Sequence, residues 1–539
     1  LIMTDRPVYR PKQSVRFKLW VRQAKYDQAD TSNFAGQRFT VTMYNPKNEQ
    51  VYSQSIQADD YGGLEGEYLV PADAVLGVYQ ISHGSGGVYG GNTFRVEEYK
   101  KPEFEVRVEA PKEPVMLGEK ISAIIKADYY FGSPVTEATV KYKVYRTEHD
   151  GRWYPAFDWD WFYGPGYWWY GYDYSWYPGW GQWGCERPVW SWWQNRSRQP
   201  PEVVADGEVK IAADGTVRIE IDTELAKLIY GDTDHRYTIS AEVRDQSRRT
   251  IVGQGEVLVA RRPFKVYAWT DRGHYRVGDT VRAAFKVQTL AAKPVQGKGL
   301  LRLHRITYQD NGPQETEMNR WKLDPDTEGR AAIQIQASRP GQYRLSFSVT
   351  DTKNRTIEGG YIFTVRGEGD DGARYRFAKI ELVPDKSEYA PGERVRLLIN
   401  TDHAGAAVVL FIRPADRIYL PPKVIHLRGK SSVEQITVTQ KDMPNFFVEA
   451  LTVYEGKLHS ETREIAVPPQ KHVLNVKITA SQKTYRPGQN AKFKIALTDS
   501  NGQPFQGTAV MTVYDRALEY ISGGSNVPEI RSFFWKWRR

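Results

Sequence analysis

The chain has 539 residues, 40% hydrophobic and 26% charged, which is ordinary for a soluble globular protein and too long for one core, so three to five domains are expected. Its net charge of +9 lies mostly on Lys and Arg that alternate with apolar residues, as on the solvated face of a sheet, and this argues against nucleic acid as a partner. The longest apolar run, Ala406–Ile412, is far short of the about 20 residues a membrane helix needs, and the lone Cys185 excludes an internal disulfide framework and a cysteine zinc site.

The chain opens on Leu1 with TDRPVYR close behind and itself contains no signal-peptide pattern. Aligned with WTDRGHYR at Trp269, Leu1 falls within a strand, so the native protein is expected to begin earlier. From Tyr9 runs YRPKQSVRFKLWV, in which Val15, Phe17, Leu19 and Val21 face one way and Arg16, Lys18 and Trp20 the other. This is the period of a half-buried strand. The phrase returns as VMLGEKISAIIKA from Val115, YRVGDTVRAAFKV from Tyr275, YAPGERVRLLIN from Tyr389 and YRPGQNAKFKIAL from Tyr485. Gly278, Gly392 and Gly488 suit a turn that needs positive φ; Lys12 stands in their place, which predicts a different turn in the first copy.

Successive copies lie 106, 160, 114 and 96 residues apart, so a unit is about 100 residues, the size of a seven-stranded β-sandwich. An all-β tandem array of fibronectin- or immunoglobulin-like antiparallel sandwiches follows. The expected units are 1–100, 101–262, 263–370, 371–469 and 470–539, with joints at YKKPEF, ARRPFKV and VPPQKHV, where a Pro ends one ladder before the next begins. Strands are expected at Arg38–Tyr44, Glu67–Val70 and Thr93–Glu97 in the first unit. The last unit holds only about half a sandwich.

The second unit is long by about 55 residues because of an insertion over 149–201. Between Trp153 and Trp193 stand 20 aromatic residues in 41, including 11 of the chain's 16 tryptophans, interleaved with Gly and Pro and without a regular period. Such a loop is a platform for sugar rings, a protein contact, or a minicore packed on itself or docked within the chain. Trp159, Trp161, Trp168, Trp169, Trp176 and Trp180 are the candidate contact surface. With four Lys/Arg against five Asp/Glu, the loop lacks the positive groove single-stranded nucleic acid requires.

DPDTEG at Asp324–Gly329 opens like a calcium loop, but Ile335 stands where a bidentate Glu is needed, so a hairpin turn is expected there, and a turn also at Ala212–Gly215. Nine scattered histidines show no metal-ligand spacing, the HGSGG stretch at His83 reads as a loop between strands, and Cys185 has no basic activator near it in sequence. No catalytic residue, metal or cofactor is expected.

TDRPVYRP at Thr4–Pro11, VEEYKKPEFEV at Val96–Val106, SQKTYRPGQ at Ser481–Gln489 and MTVYDRALEYI at Met511–Ile521 together resemble the bacterial alpha-2-macroglobulin family, over essentially the whole chain. The resemblance implies macroglobulin-like domains two to six of an extracytoplasmic endopeptidase trap, resident in the periplasm or at the cell surface. In that family a protease cuts a bait region inserted in the sixth domain, and a Cys-x-Glu-Gln thioester then captures it. The bait is expected at or just beyond the end of this chain. Cys185 is followed by Glu186, Arg187 and Pro188, so it is not the thioester. The terminal RSFFWKWRR offers protease-sensitive positions at Trp537, Arg538 and Arg539, with a continuing strand or helix as the competing reading. The aromatic insertion is no part of the family pattern. Read by itself, it supports the alternative of an envelope-binding module that grips glycan or protein.

Overall fold

A computed structural model describes residues 1–23, 31–85, 88–98, 104–183, 186–188, 200–231, 233–310, 312–413, 420–469, 474–486, 488–499 and 501–514. Residues 1–98, 439–446 and those from 467 onward fall in one compact unit, and 104–438 with 447–466, which hold the second and third sandwiches and most of the fourth, in another.

Each of the first three sandwiches sets a three-stranded sheet against a five-stranded one. In the third, Lys265–Thr270, Thr280–Gln288 and Arg330–Gln336 form the small sheet with Thr280–Gln288 in the middle. Tyr275–Arg276, Thr356–Arg366, Gly341–Asp351, Gly297–Gln309 and Gly312–Lys322 form the large one. The alternating residues of the repeat are the small sheet's central strand: Val281, Ala283, Phe285 and Val287 are all buried, as are Val15, Phe17 and Leu19 in the first sandwich and Ile121, Ala123, Ile125 and Ala127 in the second. The fourth pairs three strands with four, and after it Asn475–Ala480 pairs with Phe493–Thr498 alone among the described residues.

The eighth strand in the first three sandwiches is a two-residue stub, and it pairs parallel. Val8–Tyr9 runs beside Arg95–Val96, Val115–Met116 beside Val259–Ala260, and Tyr275–Arg276 beside Val365–Arg366. The chain therefore leaves one sheet after its first strand and joins the other within a few residues.

The repeat's tyrosine closes that crossing. Tyr9, Tyr275 and Tyr389 are buried, and each donates its hydroxyl proton to the carboxylate four residues earlier: Asp5 at 2.6 Å, Asp271 at 2.6 Å and Asp385 at 2.8 Å. Each hydroxyl also accepts a backbone N–H, from Arg6, Arg272 and Lys386 at 3.2, 3.1 and 2.9 Å. The same carboxylate oxygen accepts the N–H of Arg16, Arg282 or Arg396 on the next strand. Two backbone N–H groups and the tyrosine hydroxyl are thus satisfied around the crossing in each copy. In the last copy Ser481 takes the aspartate's place, 3.0 Å from the Tyr485 hydroxyl. The sequence pattern shows the tyrosine; its aspartate partner emerges only in three dimensions.

Two expectations are corrected. Lys12 does not make a different turn: its φ is +67°, in the left-handed region with Gly278 at +98° and Gly392 at +93°. The closing bonds agree, since Lys12 N–H reaches Val70 O at 2.9 Å, and Gly278 and Gly392 reach Ala337 and Val438 at 2.8 Å each. A Cβ at Gly278 or Gly392 would meet nothing within 4 Å, so backbone conformation alone favours glycine there, and Lys12 bears the strain. DPDTEG is a turn but no hairpin, because Gly312–Lys322 and Arg330–Gln336 belong to opposite sheets. Asp326 Oδ1 accepts the N–H groups of Glu328 and Arg330, at 2.9 and 2.8 Å, which fixes an arch between the layers.

Candidate functional site: the aromatic insertion

The insertion leaves the second sandwich at His149, the end of strand Ala138–His149, and returns at Glu202 to open its neighbour Glu202–Lys210. Arg146 pairs with Glu202 at the neck, one guanidinium 3.9 Å over the ring of Tyr230. Arg152 binds Glu186 at 3.1 Å, which brings the far end of the described loop back beside its start.

Between these points eleven rings are buried: Trp159, Tyr163, Tyr167, Trp168, Trp169, Tyr170, Tyr172, Tyr174, Tyr177, Trp180 and Trp183. They pack as tilted and edge-on pairs, Phe157 with Trp168 at 4.6 Å, Tyr163 with Tyr167 at 4.8 Å and Tyr174 with Trp180 at 5.3 Å. Gly and Pro let the chain reverse between rings. Gly166 at φ +78° lies flat on Tyr154, where a Cβ would come within 2.6 Å of the ring.

The loop also docks on its neighbours in the same unit. Toward the third sandwich, Trp153 packs on Tyr267 and Trp269, Trp169 meets Tyr361 edge-on at 5.6 Å, and Trp176 lies against Tyr308 with Arg376 4.2 Å over it. Tyr177 donates to Glu315 at 2.5 Å; Glu315 holds Arg344 through both oxygens, and Arg344 covers Trp183. Burial works against the Glu315 carboxylate, but hydrogen bonds from Arg344 and Tyr177 hold it below its usual range.

Toward the fourth sandwich, the Tyr172 hydroxyl accepts Leu382 N–H at 2.8 Å and donates to Glu461 at 3.1 Å. Arg187 stacks 4.5 Å over Tyr172 and pairs with Glu461, and Tyr167 donates to Glu388. Tyr174 bonds Glu381, which is wholly enclosed with Asn400 at 3.0 Å and Ala378 N–H at 2.7 Å. Burial pushes the Glu381 carboxyl up to about 7. Glu388 is raised for the same reason.

Of the six candidate contact residues, Trp159, Trp168, Trp169 and Trp180 are buried, between 2% and 6% exposed, and Trp161 and Trp176 are half-buried. The sequence reading missed the residues that receive the insertion's tyrosines, Glu315, Glu381, Glu388 and Glu461; no pattern in the chain distinguishes these glutamates from surface ones. Cys185, Trp537, Arg538 and Arg539 lie outside the described residues. Among the described residues no cluster of His, Cys, Asp and Glu could hold a metal ion, and no helix is long and apolar enough to cross a membrane.

The repeating sandwich and its clamped crossing define a tandem β-sandwich protein, and comparison with known families gives these sandwiches a name. Family models agree: one for the MG2 domain matches residues 1–96, one for macroglobulin domain MG3 matches 98–155, and one for the alpha-2-macroglobulin bait region domain matches 380–520. The chain is 31% identical to an alpha-2-macroglobulin of Thermotoga maritima across 99% of its own length and 29% of that protein's. It is 22% identical to one of Ralstonia nicotianae, across 99% and 31%. A crystal structure of trypsin-activated alpha-2-macroglobulin from Escherichia coli aligns at 14% identity and a TM-score of 0.46, over 93% of this chain and 33% of that one. The chain belongs to the bacterial alpha-2-macroglobulin family, and it spans about 30% of the length of these curated relatives. The bait-region match begins at residue 380, well ahead of the end of the chain where the sequence reading looked for the bait.

Proposed function

We propose that this chain is a scaffold segment of an extracytoplasmic, broad-spectrum endopeptidase trap, and that its aromatic insertion makes the second, third and fourth sandwiches move as one body. The observation that carries the second part is the double seat of the insertion, on Tyr361 and Glu315 of the third sandwich and on Leu382 and Glu461 of the fourth. Joints between domains are commonly no firmer than transient interfaces. A ring cluster buried across two of them raises the barrier to rotation there and leaves movement after bait cleavage to other joints.

In this reading the segment performs no chemistry. Its role is to transmit a cut as a rearrangement, with endopeptidases as partners, periplasm or cell surface as the compartment, and no cofactor. The candidate tryptophan surface faces inward, and the tail at Trp537, Arg538 and Arg539 is a cleavage candidate. The test is to incubate the native protein with a trypsin-like protease and follow three things: the cut site by mass spectrometry, the migration of the product, and the protease's activity on a protein substrate. Cleavage, a compacted product and loss of that activity are expected. Cleavage that leaves the protease fully active on a protein substrate would end the trap reading.

A further inference from the structure

Where the insertion crosses the outer face of the third sandwich's small sheet it leaves a cleft of about 550 Å³, within the size range of small-ligand sites. Strand register shows what lines its floor. Trp269, Ala284 and Ala332 are direct neighbours on three adjacent strands, and form one apolar rung. One step along the same face, Arg282 pairs with Gln334, and Asp271 N–H bonds to Arg282 O, so Asp271, Arg282 and Gln334 form a polar rung. The wall opposite is aromatic, with Phe157, Trp168 and Tyr170 from the insertion and Ser387 at its edge.

The floor is low because two of the three side chains in its apolar rung, Ala284 and Ala332, are alanines, and its outermost strand is exposed at Ala332 and Gln334. Among the described residues neither the Arg282 guanidinium nor the Gln334 amide has a protein partner. Asp271 Oδ1 is engaged with Tyr275 and Arg282 N–H, but Oδ2 has only Arg272, at 4.0 Å. The site therefore offers half-buried ring faces at Phe157 and Trp269, room between them, and unspent donors and acceptors along one side. One carboxylate and one guanidinium balance, so it favours neither an acid nor a base.

We infer that this cleft is a binding site for an uncharged pyranose oligosaccharide. A sugar ring has an apolar C–H face suited to Trp269 or Phe157 and an equatorial rim of hydroxyls suited to Arg282, Gln334 and Asp271. A purely apolar ligand would leave that rung desolvated without partners, which is costly. The inference stands apart from the trap, since a trap without sugar binding, or sugar binding without a trap, is each possible chemically.

The experiment is calorimetric titration of the intact protein with two soluble probes, triacetylchitotriose and cellotriose, which separate an acetamido-bearing glycan from a plain hexose polymer. Saturable binding of at least one, with a Kd between millimolar and micromolar, is expected. Ala332→Trp fills the floor from the exposed strand, and Arg282→Ala removes a rim donor that holds nothing else. Each is expected to weaken binding about tenfold or more with an unchanged melting temperature. If Ala332→Trp disturbs the fold, Arg282→Ala alone decides. The inference is overturned if neither sugar binds, if the variants bind as the parent does, or if the cleft takes a neutral apolar peptide and no sugar.

Discussion

Tyr275 and Tyr172 are both buried, and both give a hydroxyl proton to a carboxylate, but the partner is four residues away for Tyr275 and 289 away for Tyr172. The first belongs to the repeat, where turn, tyrosine and acceptor form together as a local unit. The second belongs to the insertion, whose rings pack partly on one another but whose hydroxyls reach partners in two other sandwiches. The same chemistry therefore serves two purposes. In the repeat it shapes a domain, and in the insertion it fastens domains together.

The largest effects should come from the insertion's own core. Trp168→Ala and Trp169→Ala should each destabilise the unit by about 3–5 kcal/mol, read by denaturant unfolding, because each empties a ring-sized space among rings that cannot close over it. Amides around Tyr361 should exchange faster in Trp169→Ala. If stability and exchange stay as in the parent, the insertion fastens nothing.

Glu381 tests the seat electrostatically. Its carboxyl is raised by burial from 4.5 to about 7 in the fold, so in that window the folded chain keeps a proton that the unfolded chain has released. Stability therefore falls as pH rises from about 4.5 to about 7, by roughly 3 kcal/mol, and stays lower above. Glu381→Gln keeps the enclosed amide-like shape without the charge. Unfolding curves at pH 5 and pH 8 should lie closer together in that variant, and an unaltered gap between them would remove Glu381 from the account.

Tyr275→Phe should cost less, about 1–2 kcal/mol, since it strips one acceptor from Arg272 N–H and one donor from Asp271 while the ring still fills its place. The loss should stay within the third sandwich, visible as faster exchange near Asp271 and Arg282. Tyr172→Phe at similar cost should instead loosen the amide of Leu382. Identical exchange patterns in the two variants would erase the distinction between shaping and fastening. The smallest effect has the opposite sign: Lys12→Gly should stabilise the first sandwich by about 1 kcal/mol, because glycine holds φ +67° without strain.

Much of this was legible in the residues. Alternation at Val281–Val287 and its counterparts depends on two-residue periodicity, a local property, and it marked the central strand of each small sheet. Unequal spacing between copies exposed the insertion, whose limits fall at the ends of Ala138–His149 and Glu202–Lys210. Residue type does not reveal the turn at Lys12: Lys12 N–H bonds Val70 O and, across the turn, Gln13 N–H bonds Arg10 O, and these bonds hold a lysine at positive φ. The arch at Asp326 was misread because an aspartate-glycine turn looks the same whether the strands it joins pair with each other or with strands in opposite sheets.

Strand period, turn chemistry and repeat length act over tens of residues at most, and for that reason an array of β-sandwiches could be read from the residues alone, while motifs such as TDRPVYRP carried the resemblance to the alpha-2-macroglobulin family. Only the tertiary structure decided where the tryptophans and tyrosines of the insertion go. A ring can satisfy its apolar faces against any other apolar surface, so composition leaves open whether the rings meet a sugar, a partner or one another. The carboxylates of Glu315, Glu381 and Glu461 and the alanine floor beside Trp269 become a seat and a cleft only when strands far apart in the chain are brought to one face.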